Sequence, residues 1–227
     1  MKFNKLAIAV GAAVLGLSSI AQAEISANIG VTSNYIWRGV TQSGDEAAVS
    51  GGVDYAHDSG FYLGTWASSL GGGGEELDIY AGFSGEAGDI GYDIGVNRYM
   101  YPSANDIDFT ELYASVSFGP VTGGLAYTFE AEKANAGGAF DEGDLYAYLS
   151  GGMDLPEGFS MGATLGAYMF ENDGPGFDAD YQHLTLDFTK GAGDFGDFTF
   201  SVSKNFGGQA VAADDGITPF VSWSKSF

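Results

Sequence analysis

The chain has 227 residues, 30 acidic against 8 basic, and a formal net charge of −22, with 37 glycines, 15% aromatics and no cysteine. Such a balance argues against nucleic acid and anionic ligands, and without cysteine the fold holds together without disulfides. Charged residues make up 17%, below the roughly 25% of a soluble domain.

Lys2 and Lys5 form a positive opening, Leu6 to Leu17 an apolar stretch, and Ala21-Gln22-Ala23 a small-residue cleavage site. This is the pattern of a secretory signal peptide. It predicts a cleaved segment 1–23 and a mature domain 24–227. No later stretch approaches the roughly 20 apolar residues of a membrane helix.

From Glu24 the chain alternates apolar and polar residues in twelve segments, the period of strands with two unlike faces. The first, Ile25 to Trp37, sets Ile25, Ala27, Ile29, Val31, Tyr35 and Trp37 against Ser26, Asn28, Thr32, Asn34 and, at its far end, Arg38. The second opposes Val49, Val53 and Tyr55 to Ser50 and Asp54. The third is ambiguous, Phe61 and Leu63 opposing Tyr62 and Trp66. In the next three, Asp78, then Asp93, then Glu111 stand on the polar face. The seventh sets Val121, Leu125, Tyr127 and Phe129 against Thr122 and Thr128. The remaining segments put Asp144 with Tyr146, then Ser160 with Thr164, then His183 with Asp187, then Ser201 with Ser203, on that face. The last, Ile217 to Phe227, ends the chain on an aromatic.

Connections alternate too. Short turns such as His57 to Gly60, Gly119-Pro120 and Lys190 to Gly193 follow even segments; longer loops such as Gly39 to Glu46, Ala131 to Asp141 and Asn205 to Gly216 follow odd ones. Short periplasmic turns and longer outside loops are the asymmetry of an outer-membrane barrel. The expected fold is all-β: a transmembrane up-and-down antiparallel β-barrel of about twelve strands, closed by pairing of the last strand with the first. A soluble sandwich or lipocalin-like barrel also alternates. Against it stand the small or uncharged polar faces and the aromatics near strand ends (Tyr35, Trp37, Tyr55, Phe83, Phe118, Phe129, Phe159, Phe188, Trp223), which suit interfacial girdles. Lysines, among them Lys133, Lys190, Lys204 and Lys225, sit in loops, turns and strand ends.

The block from Asn28 to Phe83 carries Ser33-x-Tyr35-x-x-Arg38-Gly39, Gly52-x-x-Tyr55, Gly60-Phe61-Tyr62-x-Gly64-x-Trp66-x-Ser68 and Glu76-x-Asp78-x-Tyr80-x-Gly82, continued by Tyr92-Asp93-x-Gly95. It resembles the TorF-type porin family, small proteobacterial outer-membrane proteins without an assigned function. The resemblance spans the mature chain and implies outer-membrane location and a pore; it supplies no catalytic residues. Val221, Trp223 and Phe227 also resemble the C-terminal signal read by the outer-membrane assembly machinery, with Lys225 where an apolar residue is usual.

Twelve strands about 4.8 Å apart and tilted about 40° enclose a backbone diameter of roughly 24 Å, between filled eight-stranded and open sixteen-stranded barrels. The candidate lumen-lining residues are Arg38, Asp54, Asp78, Asp93, Glu111, Asp144 and Asp187. Carboxylate rings favour cations, so the expected function is passive diffusion of small cationic or neutral solutes. The alternative is a non-conducting structural or adhesive barrel, its acids hydrogen-bonded to luminal Tyr, Ser and Asn. Acids in the outside loops, such as Asp45, Glu46, Asp141, Asp178, Asp214 and Asp215, lack calcium-loop spacing; they read as solvated, with loose divalent bridging to lipopolysaccharide as a secondary reading. No cofactor, metal site or nucleic-acid partner is expected; the expected partners are outer-membrane lipid and lipopolysaccharide, the assembly machinery and small solutes. Of two histidines, His57 precedes a periplasmic turn and His183 faces inward near Ser201 and Ser203, with no motif joining them into a Ser-His pair. Gly71 to Gly74 lacks the Lys-Ser/Thr ending of a phosphate loop and reads as a flexible loop. The chain is not expected to be an enzyme.

Overall fold

The computed structural model describes residues 24–132, 138–173, 175–208 and 216–227. The expected signal peptide, Lys133, Asp214 and Asp215 lie outside the described residues. In chain order the strands are β1 (Glu24–Thr32), β2 (Ile36–Trp37), β3 (Val40–Thr41), β4 (Ala48–Ala56), β5 (Phe61–Ser69), β6 (Glu75–Ala87), β7 (Ile90–Met100), β8 (Phe109–Phe118), β9 (Val121–Ala131), β10 (Leu145–Leu155), β11 (Phe159–Met169), β12 (Tyr181–Gly191), β13 (Asp197–Gly207) and β14 (Ile217–Ser226). All except β2 and β3 form one closed antiparallel barrel of twelve strands, each paired with its chain neighbour. β14 closes it against β1 with Asn28 opposite Ser226 and Thr32 opposite Ser222, and Phe227 and Ala27 exchange backbone hydrogen bonds of 2.8 and 3.3 Å.

Each strand follows its period-two pattern, with the apolar face outward. Ile79, Ile94, Val116, Leu149, Leu165, Leu186 and Val221 are all exposed on the wall, whereas Asp54, Asp78, Asn97, Glu111, Thr164, His183 and Ser201 are buried. A sheet that buries its polar face and exposes its apolar face is the reverse of a soluble barrel and matches a hydrocarbon surround. On β5 the ambiguity resolves with Phe61 and Leu63 exposed outside.

Both ends of this band are marked by charge. At the loop end Arg98 reaches Asp108, Glu130 and Glu132 at 3.5, 3.3 and 3.1 Å. A bulge on β9 opposite Thr110 and Glu111 leaves Phe129 and Glu130 both exposed, so this cluster stays outside while Glu111 stays in. At the turn end Lys190 lies over the Phe159 ring at 4.6 Å and Lys225 over the Phe227 ring at 5.1 Å. The turns there are tight, and Gly88 (φ 67°) and Gly119 (φ 57°) take left-handed backbone that favours glycine.

The first strand departs from its expected course. It ends at Thr32 rather than continuing to Trp37. Ser33 donates its backbone N–H to Val221 O at 2.8 Å, after which the chain leaves the wall. β2 and β3 then pair only with each other, Ile36 opposite Thr41 and Trp37 opposite Val40. Tyr35 and Trp37 therefore do not belong to an exterior girdle: Trp37 is buried inside and Tyr35 packs edge-on against Trp66 at 5.5 Å. The reason is the two-residue turn Arg38-Gly39, with φ 47° and 85°, which reverses the chain into a hairpin. Its departure leaves β14 above Ser222 without a β1 partner, the place where Pro219, lacking an N–H, can stand.

Candidate functional site: the barrel interior and its inserted hairpin

The β2–β3 hairpin enters the loop end of the barrel, tip inward. At the tip the Arg38 guanidinium donates from Nη1 to Glu111 Oε1 at 2.7 Å and from Nη2 to Glu111 Oε2 at 2.6 Å, a bidentate pair. Nη1 also reaches Tyr168 Oη at 3.2 Å. The same guanidinium lies 4.3 Å from the Trp37 ring centroid, 4.3 Å from that of Tyr146 and 5.3 Å from that of Tyr168. Its side chain is 9% exposed and that of Glu111 2%, so the charges neutralise each other away from bulk water, where an unpaired ion would cost several kcal/mol.

Around this pair collect the largest buried side chains among the described residues. Trp37 packs against Tyr99, Phe109, Phe140 and Tyr168 with centroids 5.6 to 6.3 Å apart, and Phe170 and Tyr181 extend the cluster. The hairpin backbone is tied to the wall through side chains: Tyr181 Oη donates to Arg38 O at 3.0 Å and Asn205 Nδ2 to Gly39 O at 2.6 Å. A Cβ at Gly39 would lie 2.5 Å from that of His183, so glycine is needed both for the turn and for this approach.

Nearer the turn end the interior is filled by tyrosines laid over glycines. Gly64 stands opposite Tyr80, Gly82 opposite Tyr62, Gly95 opposite Tyr113 and Gly124 opposite Tyr148, each glycine leaving room for the ring across the ladder. Their hydroxyls engage the acids: Tyr80 donates to Asp54 and Tyr62 to Asp93 at 2.6 Å, and Tyr62 and Tyr113 share a hydrogen bond of 2.5 Å.

The sequence-predicted residues thus fall into separate places. Arg38 and Glu111 meet. Asp78 is buried, with Asn97 Nδ2 at 3.4 Å from its Oδ2 and its Oδ1 without a hydrogen-bond partner among the described residues. Asp54 and Asp93 are bound by tyrosines, and Asp187 accepts from Ser201 Oγ at 2.6 Å. Asp144 is different: it sits just before β10 and accepts backbone N–H groups of Asp141 and Glu171, both at 2.9 Å, fastening two outside loops. Val221, Trp223 and Phe227 lie on the outer wall, Trp223 donating Nε1 to Phe195 O at 2.6 Å. His183 is held by Tyr146 Oη at 2.9 Å from Nε2, while Ser201 bonds Asp187 and Ser203 bonds Thr185 at 2.9 Å, so these contacts assemble no Ser-His pair. Among the described residues no cluster of His, Asp and Glu is placed to hold a metal.

Glu76, which the sequence reading counts among the solvated acids of the outside loops, lies in β6, buried and bound by Tyr35 Oη at 2.9 Å. Tyr146 and Tyr168 fall on the expected inward face but were not singled out, and Trp37 was expected outside. A signal for the hairpin existed. Ile36-Trp37-Arg38-Gly39-Val40-Thr41 is a two-residue turn with glycine second between β-prone pairs. In the outside loops, Asp173 accepts the backbone N–H groups of Ala179 at 2.8 Å and Asp180 at 3.1 Å, and these bonds hold its carboxyl below the ordinary aspartate range.

Residues 18–218 match the model of a family described as "Bacterial protein of unknown function (Gcw_chp)". The chain belongs to that family. A search of the curated proteins found no match. Among solved structures the Gcw_chp chain is similar to a KdgM porin, with TM-score 0.58, 6% identity, and coverage of 89% of this chain and 98% of that one. It is similar to the same porin in complex with disordered oligogalacturonate (TM-score 0.56, 6% identity, 89% and 97% covered). It is also similar to the COG4313 outer membrane channel from Pseudomonas putida F1 (TM-score 0.53, 11% identity, 92% and 97% covered). At these identities the likeness is one of fold: a closed barrel of porin type.

Proposed function

We propose that this Gcw_chp protein is an outer-membrane porin that passes small cationic or neutral solutes and is not an enzyme. The observation that carries the reading is the inverted wall: twelve strands exposing Ile, Leu, Val and Phe and enclosing acids and tyrosines. A wall of that kind calls for an apolar surround such as the core of a bilayer. Solved neighbours of this fold are described as porins and a channel, and the resemblance of the Asn28 to Phe83 block to TorF-type porins points the same way. In this reading residues 1–23 are a cleaved export signal, Val221, Trp223 and Phe227 are read by the assembly machinery, and the loop acids meet lipopolysaccharide through divalent ions. Cation preference is argued from Asp54, Glu76, Asp78, Asp93 and Asp187, which face the interior together with the matched Arg38–Glu111 pair.

The test is planar-bilayer recording across a potassium chloride gradient. Steady conductance steps with a cation-preferring reversal potential are expected, and Asp78, Asp93 and Asp187 changed together to Asn should move that potential toward zero. Unchanged selectivity would refute the role of these acids. The inserted hairpin favours a second reading, a non-conducting structural or adhesive barrel, and silence from correctly folded protein would establish it over the porin.

A further inference from the structure

The wall contributes Glu111 on β8, Tyr146 on β10 and Tyr168 on β11 to a site shaped for one chemical group. Both oxygens of Glu111 receive a planar N–H fork at 2.7 and 2.6 Å. The rings of Tyr146 and Tyr168 cover the plane of that fork at 4.3 and 5.3 Å, and Tyr168 Oη accepts a further N–H at 3.2 Å. An ammonium group has neither the fork nor the flat faces, and an anion would meet the Glu111 charge, so the cage selects guanidinium. Its present occupant is Arg38, which belongs to a hairpin that forms its own two-stranded sheet and shares no ladder with the barrel. The recognised group is therefore tethered to the chain rather than built into the wall.

We propose that this cage is a binding site for guanidinium-bearing solutes, with Arg38 acting as a tethered competitor. A solute entering from the loop end would present the same fork to Glu111 and lift the hairpin tip from its place. Arg38 competes from within the same chain and is held further by the packing of Trp37 and by the Tyr181 and Asn205 hydrogen bonds to the tip, so a free guanidinium compound displaces it only at high concentration and binds more readily once Arg38 is removed. The proposal deepens the porin reading by naming a solute class and rests on that reading only for passage.

The test uses the full barrel refolded in detergent and equilibrium dialysis with radiolabelled methylguanidinium. Arg38→Gly suits the left-handed backbone at the tip, φ 47°, and empties the cage; heat-modifiable gel mobility reports barrel closure, and Arg38→Ala serves if the glycine variant does not close. The variant is expected to bind methylguanidinium about tenfold or more tighter than wild type. Adding Glu111→Gln should weaken that binding about tenfold, the order of one charge-assisted bidentate contact, and methylammonium should bind correspondingly worse. No saturable binding to a closed barrel, or binding indifferent to Glu111→Gln, overturns the proposal. Because binding is read without conduction, a barrel that binds yet stays silent in bilayers refutes passage alone, and one that conducts yet does not bind refutes the site alone.

Discussion

Arg38 at the tip of the inserted hairpin and Glu111 on the barrel wall, 73 positions apart in the chain, form a bidentate ion pair. A buried pair of this kind stabilises little relative to an apolar substitute, but removing one partner strands the other and costs roughly 3–5 kcal/mol. Glu111→Gln should therefore undock the hairpin while leaving the twelve-strand ladder intact. Hydrogen exchange should rise at Ile36, Trp37, Val40 and Thr41 and stay slow at β10 and β11. Arg38→Gly combined with Glu111→Gln should be less harmful to folding stability than Glu111→Gln alone, because no charge is left unmatched. Equal exchange in wild type and Glu111→Gln would mean that the aromatic cluster, and not the ion pair, holds the hairpin.

The glycine–tyrosine pairs of the lower interior make a second prediction. A Cβ on Gly95 would lie 2.5 Å from Tyr113 Cζ and 2.7 Å from the carbonyl of Ala81. Gly95→Ala must move that ring, with loss of its hydrogen bond to Tyr62, and should cost about 1–3 kcal/mol in urea titrations in lipid vesicles. Gly123 is the control, since the nearest atom to its added Cβ is 3.8 Å away; Gly123→Ala should fall within about 0.5 kcal/mol of wild type. Similar losses at the two positions would show that strand entropy and not ring packing sets the cost.

Most of the wall was legible because alternation needs no tertiary knowledge: Leu149, Leu165 and Leu184 point outward from their own strands whatever lies beside them. The hairpin was not, and for a specific reason. Ile29, Val31, Tyr35 and Trp37 keep one parity, so the apolar series runs through the point where the backbone leaves the sheet. What distinguishes Trp37 from a lipid-facing residue is its contact with Tyr99, Phe109 and Phe140, all distant in sequence. Asp144 shows the same limit at a strand end. Its parity matches that of the interior residues, yet its carboxylate serves the backbone of two loops.

Loop order should depend on pH through Asp173. Its carboxylate is stabilised by the Ala179 and Asp180 N–H groups, which places its folded-state value below the ordinary 3.8. For a depressed acid the contribution to order is present above the unfolded value and is lost as pH falls from there through the folded value. Amide exchange at Ala179 and Asp180, corrected for intrinsic rates, should quicken over that acid interval and be level above it. Asp173→Asn should remove the pH dependence, because the amide oxygen does not titrate there. A transition persisting in that variant would assign the effect to another acid.

The outward leucines decide between a bilayer and water as the surround. Leu165 lies midway along β11 between Leu149 of β10 and Leu184 of β12, at 54% exposure. If this band faces hydrocarbon, Leu165→Arg places a charge near the bilayer centre and should cost roughly 2–4 kcal/mol on refolding into vesicles. The same charge at Phe195, in the turn between β12 and β13 and 77% exposed, should cost only about 0–1 kcal/mol, since arginine there reaches the headgroups. A soluble barrel would respond differently, because an exposed arginine is well hydrated at both positions and would improve solubility at no cost. Depth-dependent penalties along one face therefore measure where the membrane lies. Equal and small effects at Leu165 and Phe195 would overturn the transmembrane assignment.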